Sequence, residues 1–315
     1  MLATPERILV IKLGALGDFV QATGPFAAIH THHPDAHVTL LTTAPMAPLA
    51  AANPWFDRVC IDTRPGTAHL TGWLRLVRRL RNGRYDRVYD LQTSRRSSLY
   101  YHFMRPRLSR RARPLEWCGI ARGCSHPHLD PARERMHTIE RQAEQLRIAG
   151  VNAVPPPSLD WVEADISRFE LPGSYVLMVP GGSAHRRQKR WPAESYAALG
   201  RELVRRGVTP VLLGDAPERD VTAKVAAACP QALDLTGMTS LAEIVMLARG
   251  AAGALGNDTG PIHLITVAGA PTVVLFSDAS DPDLCAPRGA NVTIVQRGSL
   301  SELAVAEVEE VLRLR

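Results

Sequence analysis

The stretch Gly256-Asn257-Asp258-Thr259-Gly260-Pro261-Ile262-His263-Leu264 follows a short apolar run, residues 251–255, and opens a second one. That is the order of a strand, a tight turn and a helix whose first-turn N–H groups point over the strand end. Such a turn can hold a phosphate. Asp258 at its rim adds a carboxylate that can accept from sugar hydroxyls or take a proton, which a plain phosphate cradle does not need. Phosphate and sugar together point to a nucleotide-sugar site.

The same alternation extends outward from this stretch. Apolar runs at 8–11, 38–41, 58–61 and 87–91 precede Pro155-Pro156-Pro157, and runs at 175–179, 208–213, 251–255, 272–276 and 292–295 follow it, with stretches of helical period between them. The pattern predicts parallel sheets with crossover helices. A triple proline reads as a stiff linker, and 315 residues, 45 % of them apolar, fit two domains at roughly 100–200 residues each. The expected fold is α/β, with two doubly wound halves, residues 1–154 and 155–315, facing each other over a cleft and binding ligands at the carboxyl ends of their strands. Residues 301–315, with Leu303, Val305, Val308, Val311 and Leu312 on an apolar stripe, are expected as a closing helix.

Composition bounds the setting. No run approaches the about 20 apolar residues of a membrane span, and the first residues lack the pattern of a signal peptide, so a cytoplasmic protein is expected. Five cysteines without a C-x-x-C pair indicate neither a disulfide framework nor a zinc ribbon. The net charge of +6 hides an asymmetry: residues 71–135 hold sixteen arginines against five acids, while the whole chain has three lysines. Concentrated arginine favours phosphate-bearing partners; arginine used in place of lysine on solvated helices would give the same count.

Three more segments sit at expected strand ends. Lys12-Leu13-Gly14-Ala15-Leu16-Gly17-Asp18 follows the first strand and precedes a helical stretch expected from Phe19 onward. Its glycines let backbone approach a ligand closely, and Asp18 then stands either at the mouth of the cleft or as a simple helix N-cap. The spacing is G-x-x-G and not G-x-G-x-x-G, and the second strand ends in Thr42-Thr43 without an acid for a ribose, which speaks against a dinucleotide site. Pro180-Gly181-Gly182-Ser183, followed by Lys189-Arg190-Trp191-Pro192, offers a nest for phosphate oxygens and a lysine to reach the same anion. In Gly214-Asp215-Ala216-Pro217-Glu218 a carboxylate could accept from ribose hydroxyls, or the segment could simply start a surface helix.

Taken in this order, the segments resemble glycosyltransferase family 9, the heptosyltransferases of lipopolysaccharide core assembly. The resemblance spans nearly the whole chain: the opening strand with L-G-D, Thr23-Gly24-Pro25, the P-G-x-S turn, the K-x-W-P segment, the G-x-x-x-E turn, the loop 236–241 and D-T-G-x-x-H. It implies a GT-B fold with an N-terminal acceptor domain and a C-terminal donor domain. It further implies ADP-heptose as donor, an anionic glycan or glycolipid acceptor (or a protein, as for some members), and inversion without a bound metal. Under it Asp18 is the general base, Lys189 pairs with the diphosphate, Glu218 holds the ribose, Asp258 contacts the sugar, and Thr259 and Gly260 offer N–H groups to the phosphates. Gly17, Ser183, Thr239, Leu241 and His263 complete the implied donor set; a core histidine bonded to backbone is the other reading of His263. Position 14 is Gly where many members have Ser, and position 12 is Lys where many have Arg.

No cofactor beyond the nucleotide-sugar substrate is expected, and no metal, since Lys189 and helix N–H groups stand where a metal-holding D-x-D dyad would otherwise be needed. His30, His32, His33 and His37 lie close together but are expected in solvent around Pro34, and Cys124, His126 and His128 lack an evident fourth ligand. The basic 71–113 region, including Arg105, Arg107, Arg110, Arg111 and Arg113, is expected to meet acceptor phosphates or the cytoplasmic face of the inner membrane, with no specific nucleic acid. Two other classes share parts of this pattern. A nucleotide-sugar 2-epimerase has the same architecture without L-G-D and D-T-G-x-x-H together, and a non-catalytic binder has no use for both Asp18 and Asp258.

Overall fold

The computed structural model describes residues 5–105, 114–171, 173–182 and 187–315. Its contacts divide the chain into two units, Met1–Pro157 and Ser158–Arg315. In the first, β1 (Arg7–Ile11), α1 (Leu16–Gln21), α2 (Thr23–His32), β2 (His37–Thr42), α3 (Ala47–Ala52) and β3 (Arg58–Ile61) lead into α4 (Leu70–Asn82), β4 (Arg87–Asp90), α5 (Arg95–Met104), β5 (Glu116–Gly119), β6 (His126–Pro127) and α6 (Thr138–Ile148). The second unit runs β7 (Tyr175–Val179), α7 (Ala193–Arg205), β8 (Thr209–Leu212), α8 (Arg219–Ala228), β9 (Leu233–Asp234) and α9 (Leu241–Gly250). It continues with β10 (Gly253–Asn257), α10 (Gly260–Val267), β11 (Thr272–Ser277), α11 (Pro282–Cys285), β12 (Val292–Arg297) and α12 (Val305–Val311).

Each unit has one six-stranded sheet, ordered β3-β2-β1-β4-β5-β6 and β12-β11-β10-β7-β8-β9. All pairings are parallel, for example Ile8↔Val38 and Ile8↔Arg87 around β1 and Leu255↔Met178 beside β7. The two orders are the same Rossmann-like winding, and each reverses direction once: between β1 and β4, and between β7 and β10. Loops leaving adjacent strands at such a reversal diverge to opposite faces and open a crevice at the carboxyl ends. Central strands are buried on both faces, which is why 175–179 and 272–276 read as continuous runs. One face of the first sheet packs Leu9, Ile11, Val88 and Trp117 under Leu76, Leu80, Tyr100 and Met104 of α4 and α5. In the second unit Val176, Met178 and Leu255 pack with Trp191, Tyr196, Leu203 and Val308.

Four expectations are corrected. The first helix begins at Leu16, not Phe19, which places Asp18 in its first turn; the N-cap is Ala15 and carries no side-chain cap bond, so the reading of Asp18 as N-cap falls. The strand expected at 251–255 lies at Gly253–Asn257, because Ala251 and Ala252 turn the corner out of α9. The closing helix is confined to Val305–Val311: beyond Leu312 the chain extends so that Arg315 N–H donates to Ala252 O (2.9 Å) and its guanidinium to Ala251 O (2.8 Å) and Ala248 O (3.1 Å), capping the carbonyls of α9. Finally, the histidine cluster is not all solvated. His33 faces Tyr89 Oη at 2.7 Å and Glu6 at 2.9 Å, and burial with the neighbouring Arg87 pushes its pKa down to about 4. His37 pairs with Asp57, while His30 and His32 are exposed.

The triple proline does more than link. A Cβ on Gly24 would stand 2.2 Å from the Pro155 carbonyl oxygen, so the Thr23-Gly24-Pro25 turn of α2 is shaped to receive that segment. The five cysteines are free thiols, four of them buried. Cys124 bonds to Gly119 O and His126 to Ser125 Oγ, while the His128 ring lies 3.7 Å from Glu144, so the three do not converge. Among the described residues no group of His, Cys, Asp and Glu is arranged to hold a metal, and no helix is long and apolar enough to cross a membrane.

Candidate active site at the two switch points

At the β1/β4 reversal the loop after β1 is fastened from three sides. Leu13 N–H donates to Gln92 Oε1 (2.7 Å), and its carbonyl accepts from Thr43 Oγ1 (3.1 Å) and Arg64 Nη2 (2.9 Å). Gly14 follows with φ +113°, a backbone that glycine permits and a serine would strain. The chain then enters α1 with Gly17 buried and Asp18 half-buried. Behind Asp18, Lys12 is buried, and its Nζ donates to Leu91 O (3.2 Å). Burial lowers the Lys12 pKa, against the pull of Asp18. Asp90, at the end of β4, is fully buried and pushed up to about 7 by burial, although its Oδ1 accepts from Gln92 and Thr93 N–H. Asp90 and Gln92 therefore line this switch point, Asp90 hidden inside the strand run at 87–91 and Gln92 directly after it.

At the β7/β10 reversal the distant segments converge. Asn257, the last residue of β10, is fully buried and uses its whole side chain. Its Oδ1 accepts from Trp191 N–H (2.9 Å) and Tyr196 Oη (3.1 Å), and its Nδ2 donates to Pro180 O and Gly181 O, both 3.0 Å. One side chain thus joins the Pro-Gly-Gly turn, the K-x-W-P segment and D-T-G. Lys189 is drawn across to Asp258, Nζ to Oδ2 at 2.7 Å, beside the start of α10 at Gly260 with Thr259 as N-cap. Thr259 Oγ1 and Arg190 Nε are buried with no partner among the described residues. Ser280 Oγ also donates to Asp258 Oδ2, at 2.8 Å, and His263 Nε2 lies 4.0 Å from Oδ1. His263 is buried but faces Asp258.

Glu218 lies against the same turn: a Cβ on Gly181 would stand 2.1 Å from its Oε1. Its carboxylate also closes a capping box, accepting from Asp215 N–H at 3.0 Å, so the segment does start a helix, with the Glu218 side chain lying against the Pro180–Gly182 turn. Burial raises its pKa. The loop 236–241 is tied in through Gly237 N–H to Gly214 O (2.8 Å); Thr239 is half-buried there, and Leu241 is the first residue of α9. Ser183, Arg107, Arg110, Arg111 and Arg113 lie outside the described residues, and Arg105 is exposed. One D-x-D spacing does occur, Asp281-Pro282-Asp283, but Asp281 serves as a helix cap, its Oδ1 taking Asp283 N–H at 2.9 Å.

Two parallel sheets of this winding in one chain, each with its polar residues at the switch point, are the parts of a GT-B glycosyltransferase. The comparisons with known proteins agree. The chain belongs to glycosyltransferase family 9 (heptosyltransferase), whose sequence profile matches residues 73–312. Lipopolysaccharide heptosyltransferase 2 of Salmonella typhimurium is 24 % identical over 317 residues, covering 92 % of this chain and 88 % of that protein. Among solved structures, ADP-heptose lps heptosyltransferase II of E. coli has a TM-score of 0.80 at 22 % identity, over 97 % of both chains. The glycosyl transferase family 9 structure from Veillonella parvula has a TM-score of 0.84 at 19 % identity, over 99 % of this chain and 97 % of that one.

Proposed function

We propose that the chain transfers heptose, with inversion, from ADP-heptose to an anionic lipopolysaccharide inner-core acceptor, the first unit binding acceptor and the second donor. The carrying observation is the Lys189–Asp258 pair at 2.7 Å beside the first turn of α10: a cation and helix N–H groups where a diphosphate would gather charge, and a carboxylate where a sugar would meet it. In the reaction an acceptor oxygen forms a bond to the anomeric carbon, the bond to the diphosphate oxygen breaks with its electron pair, and the acceptor proton passes to the Asp18 carboxylate. Lys189 and the α10 N–H groups act on the charge that develops on the leaving ADP. The donor name carried by the E. coli structure supports the choice of ADP-heptose. The test is a release assay with ADP-, UDP- and GDP-linked sugars and core oligosaccharide, with the anomeric configuration of the product read by NMR. Acceptor-dependent ADP release with inverted product is expected; release of UDP or GDP instead, or retained configuration, refutes it.

Two expected results belong to this reading. EDTA leaves turnover nearly intact, because Lys189 and helix dipoles supply the charge; a loss beyond about tenfold that magnesium restores would contradict it, since a metal contributes several kcal/mol of transition-state stabilisation. Asp258→Ala weakens intact ADP-heptose by roughly 1–3 kcal/mol, the cost of a lost charged hydrogen bond, while free ADP, which lacks the sugar and would have to displace Asp258 from Lys189, is not weakened. Calorimetric titration with both ligands decides it: equal losses would assign Asp258 to the nucleotide.

A further inference from the structure

The outer surface of α4 and α5 presents apolar side chains where solvated helices present polar ones. The core stripe of α4 is Gly72, Leu76 and Leu80. Opposite it, at i, i+4, i+8 and i+11, run Leu70, Leu74, Arg78 and Arg81, with the two leucines 71 % and 68 % exposed. On α5 the exposed stripe is Arg95, Leu99 and His102, with Leu99 45 % exposed. The helices are joined by Trp73 against Phe103 (ring centroids 5.8 Å) and by Arg81 Nε donating to Phe103 O (2.7 Å). Neither helix contains an Asp or Glu.

The surface also has a direction. In the first turn of α5, Arg96 bonds Asp62 just beyond β3 (3.2 Å) and Pro65 O (3.4 Å), and Arg64 in the same loop reaches Leu13 O. The amino-terminal halves of both helices, with Leu70, Leu74, Arg95 and Leu99, therefore lie on the side of the carboxyl strand ends, where the loop after β1 leads into α1 and Asp18.

We propose that this face docks the enzyme on an anionic phospholipid bilayer. Exposed arginines meet headgroup phosphates, and the leucines enter the headgroup–acyl boundary, a combination that a bilayer accommodates at once. A nucleic acid would engage the arginines and leave the leucines in water. The choice of a bilayer over other polyanions rests on reading the acceptor as a glycolipid, whose sugar would then be presented at the edge that carries Asp18.

The test is flotation of the full chain with vesicles of phosphatidylcholine alone and of phosphatidylcholine with phosphatidylglycerol. Binding is expected only with the anionic lipid. Arg78→Gln with Arg95→Gln should lower it by about tenfold or more and flatten its salt dependence. Leu70→Ser with Leu74→Ser should lower it by about tenfold or more with salt dependence kept. Leu74→Trp should bind at least as well, its fluorescence shifting to the blue on anionic vesicles, a readout of insertion that needs no loss of function. Equal binding to both vesicles, undiminished binding by the leucine pair, or duplex RNA binding as tight as vesicle binding and indifferent to the leucines, each overturns the proposal. Transfer to deacylated core oligosaccharide without vesicles separates the two readings. The leucine pair should match the parent there, and a parent that floats as expected yet transfers no heptose refutes the functional reading and leaves the surface standing.

Discussion

Asp18→Asn is expected to bind ADP-heptose with parental affinity and to turn over about 10²–10⁴ times more slowly, the usual worth of a positioned general base. The carboxamide keeps the size of the side chain but cannot take the acceptor proton. Its frame is independent of that charge: Gln92, Thr43 and Arg64 hold Leu13, and Gly14 turns the chain into α1. Single-turnover rates with saturating donor, set beside donor titrations, separate the two effects. Normal turnover, or a loss that resides in donor affinity, would make Asp18 a ligand and remove the base from the proposed mechanism.

Asn257→Ala should be among the most destabilising single changes in the second unit. It strips partners from Trp191 N–H, Tyr196 Oη and the Pro180 and Gly181 carbonyls in a site with no exposure. Orphaned buried groups cost about 1–3 kcal/mol each, with partial relaxation, so a total of about 3–5 kcal/mol is expected. At roughly 2–4 °C per kcal/mol, Tm falls by about 6–20 °C. The isosteric Asn257→Asp is expected to be nearly as damaging, because the oxygen in place of Nδ2 would face two carbonyl oxygens. Both variants should also lose ADP binding, since three loops lose their common anchor. Calorimetric scans with and without ADP measure this, and a Tm within about 2 °C of the parent would show that the segments are held by other means.

Much of this was legible in the sequence because buried parallel strands leave apolar runs bounded by turns. The four glycine-rich segments follow from strand ends, where backbone must turn sharply. The short strand Glu116–Gly119 and the edge strands His126–Pro127 and Leu233–Asp234 carry too few apolar residues to stand out and exist through their neighbours, as in Cys118↔His126. The start of α1 lacks a capping side chain that could announce it. Asn257, Gln92 and Ser280 escaped for another reason. Their partners lie 66, 79 and 22 positions away, so no local period connects them. Asp258 and Lys189 could be picked out separately, but their direct pairing belongs to the folded chain alone.

That pairing bears on how a catalytic cycle would close. If a diphosphate draws Lys189 from Asp258, the freed carboxylate, which also accepts from Ser280 Oγ at 2.8 Å, would be open to the sugar. Once the sugar has gone, the same carboxylate is an anion tethered within reach of the lysine. Under the proposed function it would compete with departing ADP as an intramolecular rival at high effective concentration. The enzyme would then carry its own displacer of product, and spent nucleotide would leave faster than its contacts alone would allow.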